Sequence, residues 1–426
     1  MWRTILLGAA LSVPSLADRV HAQHSPEPPR LLDDVRFLSD DHLQGRMTGS
    51  PGADSAAAYL ARRFSQVGLQ PAAGGWFQSF PLRRETTSRQ TEAEAPLGKN
   101  VIGILPGRDP VLRNQTVVIG AHYDHLGHGG FGSLDPDSTG VVHNGADDNA
   151  SGAAVLVQVA ARLAASPPAR TVVFIAFSGE EQGLVGSAHY VKQPIYPLAD
   201  MLAMVNLDMV GRLRNGRLIV YGARSAREFP ALLDSLNWYA GFDLKAQGDG
   251  YGPSDHSSFY AAKRPVLHLF TDLHEDYHRT TDDWQKVNYD GLKRVADFSL
   301  GLVTALANRT RPLTFLDQPA AMPGHTTAAI TGAGSPGYGA YLGTVPDMTG
   351  TPGGVRLVGV RTGSPAEKAG LRGDDIITRI GRIETPDLQA MTDALRSHKP
   401  GEVVEIMVLR GAAVTTLKAT LGVRGG

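Results

Sequence analysis

Apolar residues along this chain fall into two patterns, short continuous runs and helically spaced stripes. From residue 100 onward the runs are Val101-Ile102-Gly103-Ile104-Leu105, Thr116-Val117-Val118-Ile119-Gly120 and Thr171-Val172-Val173-Phe174-Ile175-Ala176-Phe177, with further ones at 201–207, 218–221 and 265–270. Runs of this length, rich in β-branched residues, read as strands buried on both faces of a sheet. Between them lie helical stretches such as 153–165, and an amphipathic helix at about 291–307 closes the series. Upstream, residues 31–39 read as a short helix leading to Gly45-Arg46 and the turn Gly49-Ser50-Pro51-Gly52. A second helix is expected over 53–67, where Ala56, Leu60, Phe64 and Val67 recur at helical spacing ahead of Gly68 as C-cap. The pattern predicts an α/β domain with a mixed, mostly parallel central sheet flanked by helices.

Residues 317–339, rich in Pro, Gly, Ala, Ser and Thr with little periodicity, read as a linker to a small β-rich unit. The first 22 residues read as a signal peptide: Met1-Trp2-Arg3 is a basic start, 5–11 an apolar core, and cleavage is favoured after Val20-His21-Ala22 over Ser15-Leu16-Ala17. No segment reaches the roughly 18 apolar residues that span a bilayer. An exported mature protein, periplasmic or secreted and without an integral membrane segment, is therefore expected. Composition is that of a globular protein, with 42% hydrophobic and 19% charged residues. The 41 basic and 42 acidic residues nearly cancel, which argues against a general binder of nucleic acid or of membrane surfaces. With no cysteine in the chain, disulfides and thiolate ligands are excluded, so a metal site must be built from His, Asp and Glu.

Those residues gather where an α/β sheet places its chemistry, at the C-terminal ends of strands. The second run ends in His122-Tyr123-Asp124, the third in Ser178-Gly179-Glu180-Glu181, the fourth in Asp208, and the last leads to Tyr277-His278 and Asp282. All of them make chemical sense around Asn144-Gly145-Ala146-Asp147-Asp148-Asn149-Ala150-Ser151-Gly152, a loop of small residues entering a helix that Asn149 or Ser151 can cap. Two neighbouring cations need a bridging carboxylate, terminal acid and imidazole ligands, and room for a water. Nitrogen and oxygen donors without thiolate suit zinc. The expected distribution gives Asp147 to both ions, His122 and Asp208 to one, Glu181 and His278 to the other. Glu180 is left over as the group that takes a proton from water. Asp124 and Asp282 are expected to orient His122 and His278 through their non-ligating nitrogens. His125, His128 and His143 read as rim or solvated residues, and His256 as a residue near the site.

The ordered set Ala121-His122-Tyr123-Asp124-His125, Gly145-Ala146-Asp147-Asp148-Asn149-Ala150-Ser151-Gly152, Phe177-Ser178-Gly179-Glu180-Glu181, Asn206-Leu207-Asp208-Met209 and Tyr277-His278 resembles the di-zinc exopeptidases. These include bacterial leucyl aminopeptidases and aminopeptidase Y. The resemblance, carried also by Ser254-Asp255-His256-Ser257-Ser258-Phe259, covers about 31–308. It implies two zinc ions per chain, the same ligands, Glu180 as base, and peptide or protein substrates with a free N-terminus. It also implies a tyrosine at the oxyanion, Tyr251 or Tyr277, with Tyr251 preferred. A single-zinc enzyme of the glutaminyl cyclase kind and a non-catalytic peptide-binding relative are the alternatives. Residues 340–422 resemble a PDZ domain of the bacterial protease type, through Tyr341-Leu342-Gly343-Thr344, Gly363-Ser364-Pro365-Ala366-Glu367-Lys368-Ala369-Gly370-Leu371 and Gly373-Asp374-Asp375-Ile376-Ile377. That resemblance implies a C-terminal peptide ligand received at the loop Leu342, Gly343 and Thr344.

Overall fold

The computed structural model describes residues 31–82, 97–317 and 340–422, apart from 131, 136–137, 139, 249, 347–352, 361–362, 387–389, 392–393, 396 and 412. The expected signal peptide and, beyond Asp317, the expected linker lie outside the described residues.

In chain order the larger unit holds α1 (Leu31–Leu38), α2 (Pro51–Gln66), β1 (Gln70–Pro71), β2 (Phe77–Pro81), β3 (Leu97–Leu105) and β4 (Thr116–His122). There follow α3 (Gly152–Ala164), β5 (Thr171–Phe177), α4 (Val185–Lys192), β6 (Met201–Leu207), β7 (Arg217–Tyr221) and α5 (Phe229–Ala240). Last come β8 (Asp243–Gln247), α6 (His256–Ala261), β9 (Val266–Phe270) and α7 (Tyr289–Asn308). The nine strands form one sheet in the order β1-β3-β5-β4-β6-β9-β7-β8, with β2 beside β3. Its centre, β5-β4-β6-β9, is parallel, and antiparallel pairings join β3 to β5 and β7 to β9 on either side. The expected strands and helices are all present. β1, β2, β8, α4, α5 and α6 carried too short or too weak a pattern to be seen in advance.

Strand alternation distributes the apolar runs between two cores. Val117, Ile119 and Ala121 of β4 face one side with α1, α2, α3 and α7, whereas Val118 faces the other with Tyr190 of α4 and Phe259 and Tyr260 of α6. Both sheet faces are therefore covered, which is why the central runs are continuously apolar. The chain leaves β4 for β5 on one side through α3, then crosses through α4 to β6 on the other side of β4. Such a change of direction opens a crevice at the C-terminal ends of the strands.

The C-terminal unit has its own sheet, β10 (Thr344–Pro346), β11 (Val355–Val360), β12 (Ile376–Ile380), β13 (Ile383–Glu384), β14 (Val403–Arg410) and β15 (Ala413–Thr420), with the short α8 (Pro365–Lys368). Every pairing in it is antiparallel. Leu342, Leu357, Ile377, Ile380, Ile406 and Val408 form a separate buried core.

Candidate metal centre

The parallel centre brings four loop starts to one edge. Across β4 and β6, Nε2 of His122 stands 3.2 Å from Asp208 Oδ1 and 3.2 Å from Asp148 Oδ1. Opposite it, Nε2 of His278 stands 3.1 Å from Asp148 Oδ2 and 3.2 Å from Glu181 Oε2. The carboxylate of Asp148 thus faces two imidazoles, one through each oxygen. Behind the rings, His278 Nδ1 donates to the Gly132 carbonyl at 2.8 Å and His122 Nδ1 to the Asp124 carbonyl at 3.2 Å, with Asp124 Oδ1 at 3.7 Å. A carbonyl can only accept, so both Nδ1 atoms carry hydrogen and both Nε2 atoms turn toward the acids.

The position between the two rings was expected for Asp147 and belongs to its neighbour. Asp147 Oδ1 accepts the Gly211 N–H at 2.6 Å and the Ser151 hydroxyl at 3.0 Å, while Oδ2 lies 3.1 Å from His274 Nε2. The reason is local backbone. Within the turn Ala146–Ser151, Asp148 (φ −105°, ψ 90°) and Asn149 (φ −136°, ψ 46°) leave the helical geometry that Asp147 keeps, so the two acids do not follow one helical spacing. Asn149 Oδ1 does cap α3, accepting the Gly152 N–H at 3.0 Å. Asp282 also differs from expectation: its Oδ2 accepts the N–H groups of Asp147 at 2.9 Å and Asp148 at 3.0 Å, so it holds the acidic turn and not the His278 ring. Burial, with the Asp147 charge adding to it, pushes the Asp282 carboxyl up to about 6.

The two adjacent glutamates have opposite electrostatics. Burial raises the Glu180 carboxyl well above the usual range; His122 opposes this, and Glu181 and Asp208 add to it. Burial works the same way on Glu181, yet the His278 charge and a hydrogen bond from His125 hold that carboxyl well below the usual range. Asp208 and Glu180 share one group with His122 in which a donor atom of each lies within 4.8 Å of the others; His125, Asp148 and Glu181 form a second such group. The donor set fits zinc. Donors about 2.0–2.2 Å from a tetrahedral ion stand roughly 3.3–3.6 Å apart, close to the 3.1–3.2 Å spacings of the acids from the His122 and His278 rings.

The profile of peptidase family M28 matches residues 100–303, and that of the PDZ domain matches 340–421. This chain joins a peptidase family M28 domain to a PDZ domain. It is 30% identical over 192 residues to the alkaline phosphatase isozyme conversion protein of Escherichia coli (strain K12), covering 44% of this chain and 53% of that protein. Over 285 residues it is 30% identical to leupeptin-inactivating enzyme 1 of Streptomyces exfoliatus, covering 65% and 56%. The chain thus spans about half the length of these curated relatives. Among solved structures it is similar to BSAP, a zinc aminopeptidase from Bacillus subtilis, with TM-score 0.52 and 18% identity over 67% of this chain and 97% of that one. At that identity the likeness is one of fold.

Around the M28 site the structure also places the remaining histidines and tyrosines named from the sequence, and adds His274, which the sequence pattern did not single out. His125 is buried with Nδ1 2.9 Å from Glu181 Oε1, where a rim residue was expected. It lies in the loop that follows β4, three residues beyond the strand's last residue, His122. His143 is buried against Ser133, whose Oγ lies 2.8 Å from Nε2, and His128 is exposed. His256 stacks on His268 with ring centroids 4.5 Å apart, next to the buried Asp255, whose carboxyl burial raises to about 7. Of the two tyrosines, Tyr277 stacks on the His278 ring at 3.9 Å, and Tyr251 meets Tyr260 edge-on at 4.7 Å.

In the PDZ domain Leu342 is buried and its carbonyl accepts the Ala366 N–H at 2.8 Å; Thr344 begins β10 opposite Val360. Gly343 has φ +82°, and a Cβ placed on it would stand 2.3 Å from Ser364 Cβ. Only glycine fits this loop without displacement.

Proposed function

We propose that the chain is an exported zinc-dependent aminopeptidase that removes N-terminal residues from peptides. The observation that carries this reading is the single carboxylate of Asp148 facing His122 and His278 at 3.2 and 3.1 Å. His122, Asp148 and Asp208 would hold one zinc ion, and Asp148, Glu181 and His278 a second. Bound there, the ions would polarise the scissile carbonyl and lower the pKa of a water. Every further contribution comes from the chain. The Gly132 and Asp124 carbonyls keep each Nδ1 protonated, so each Nε2 points inward. Glu180, beside His122 and Asp208 and short of charge stabilisation, takes the proton of the attacking water and passes it to the leaving amine. Ionised acids at the same edge attract the substrate's α-ammonium group. Tyr251 is assigned to the oxyanion, with Tyr277 as the competing phenol, and the PDZ loop Leu342, Gly343 and Thr344 to a C-terminal peptide ligand. Export rests on the N-terminal charge and apolar pattern of the sequence.

The test compares Glu180→Gln with Glu181→Gln on aminoacyl anilides, with zinc per chain measured alongside. Glu180→Gln should retain zinc and lose about 10² to 10⁴ in turnover. Glu181→Gln should lose one zinc and recover part of its activity in excess zinc. A Glu180 variant that sheds zinc while the Glu181 variant keeps both ions would reverse the two roles.

A further inference from the structure

Arg46 lies outside the stretch matched by the M28 profile, yet its fully buried side chain reaches the back of the metal centre. Nε donates to the Tyr123 carbonyl at 2.6 Å; Nη1 donates to the Leu38 carbonyl at 2.7 Å and to that of Asn144. Nη2 donates to the Gly145 carbonyl at 2.6 Å and more loosely to that of Asp148 at 3.5 Å. Among the described residues its hydrogen bonds all end on main-chain carbonyls. Tyr123 separates His122 from Asp124, and Gly145 and Asp148 frame the acidic turn. One planar guanidinium therefore fixes the distance between the end of β4 and the carboxylate that faces both imidazoles.

The backbone is bent to bring it there. Gln44, Gly45 and Arg46 have φ of 50°, 66° and 36°, a left-handed stretch that two of the three residues adopt only where the surroundings over-determine it. Those surroundings are the same loops: Gly127 N–H donates to the Gly45 carbonyl at 3.0 Å, and a Cβ on Gly45 would stand 2.4 Å from the Gly127 carbonyl oxygen. Burial lowers the Arg46 pKa to about 10, against the opposing charges of Asp148, Asp124, Asp282 and Glu181, so the group stays charged at neutral pH.

We propose that Arg46 is a positioning residue of the metal centre, tying β4 to the acidic turn so that Asp148 stands between His122 and His278 before any metal binds. The inference rests on the zinc reading above. Arg63 supplies the contrast: it is equally buried in the same domain, but it bonds the Asp34 carboxylate at 2.7 and 3.2 Å. Arg63 thereby ties α2 to α1.

The test titrates zinc into the metal-free full chain for wild type, Arg46→Lys and Arg63→Lys, and measures unfolding of each with and without zinc. An ammonium keeps the charge but cannot span the three segments, so Arg46→Lys should weaken zinc about 10- to 100-fold, and linkage then requires a larger stability loss in the loaded protein than in the metal-free one. Arg63→Lys should lower both stabilities equally and leave zinc affinity unchanged. A wild type that binds no zinc overturns the zinc reading itself. Two tightly bound ions in wild type with equal affinity in Arg46→Lys, or an equal loss in Arg63→Lys, overturn the role of Arg46. Should Arg46→Lys not fold, hydrogen exchange of the metal-free wild type decides: protected Asp147 and Asp148 amides support a preset turn, and exchange at the rate of an open loop refutes it.

Discussion

Exchanging Asp147 and Asp148 for asparagine, one at a time, separates neighbours that differ only in the direction the turn sends them. Asp148→Asn removes the one negative charge between two rings and leaves an amide N–H₂ facing a nitrogen at 3.1 or 3.2 Å. Losing a group that merely orients a ligand costs about 10- to 100-fold in metal affinity. Losing a carboxylate shared by both positions should cost more than about 100-fold, or roughly 2.8 kcal/mol at tenfold per 1.4 kcal/mol. Asp147→Asn behaves differently. Its remaining oxygen still accepts the Gly211 N–H and the Ser151 hydroxyl, and its amide can donate to His274 Nε2. What it loses is charge assistance to those hydrogen bonds, about 1–3 kcal/mol of stability with zinc retained. Zinc per chain after dialysis, anilide hydrolysis and thermal unfolding decide the matter. An Asp147 variant that sheds zinc while the Asp148 variant keeps two ions would refute the assignment made from the geometry.

Zinc binding should release protons and strengthen as pH rises. Burial lowers the pKa of both rings, but Asp208 and Glu180 hold His122 well above its ordinary value, and Glu181 and Asp148 hold His278 at about 10. Both Nε2 atoms of the metal-free protein are thus protonated near pH 7.5, and calorimetry in buffers of different ionisation enthalpy should count about one proton per ring; no buffer dependence would contradict this. A chain ending after Asp317 should fold and hydrolyse anilides, whereas one ending before Thr314 should be less stable. The latter loses the bonds from Arg227 N–H to the Thr314 carbonyl, from Leu316 N–H to the Ser225 carbonyl and from Tyr260 Oη–H to the Leu316 carbonyl; equal melting of the two would refute the docking of this segment. In the PDZ domain Gly343→Ala, at φ +82° and 2.3 Å from Ser364 Cβ, should cost about 1–3 kcal/mol, read as a lower midpoint for that domain's unfolding.

How much of this was legible in the sequence follows from the range over which each signal acts. Continuous apolar runs identified β4, β5, β6 and β9 because a strand buried on both faces must be apolar at every position. Once those strands were placed, the acids and histidines after them had to share one sheet edge, and His122, Glu180, Glu181, Asp208 and His278 do share it. Helices α4 and α5 escaped because their burial is sparse: α4 buries Gly186, Ser187 and Tyr190, and α5 buries Phe229 and Leu233. A pattern so thin does not stand out from a loop.

The choice between Asp147 and Asp148 failed for a different reason. Composition and spacing treat adjacent acids alike, and a small-residue turn has no periodicity from which a side chain's direction can be read. The direction is set by partners far away in sequence. Asp282 takes both backbone N–H groups, Gly211 and Ser151 draw the Asp147 carboxylate to their side, and Arg46 holds the carbonyls of Gly145 and Asp148 from behind. Asp282 lies 135 positions from Asp147, and Arg46 lies 99 before Gly145. A one-residue error in choosing the acid that faces both imidazoles is thus the error expected when a turn's conformation is imposed by tertiary contacts. It also explains why Arg46, one arginine in a glycine-containing turn, gave no sign in the sequence: its function is visible only through the carbonyls it holds.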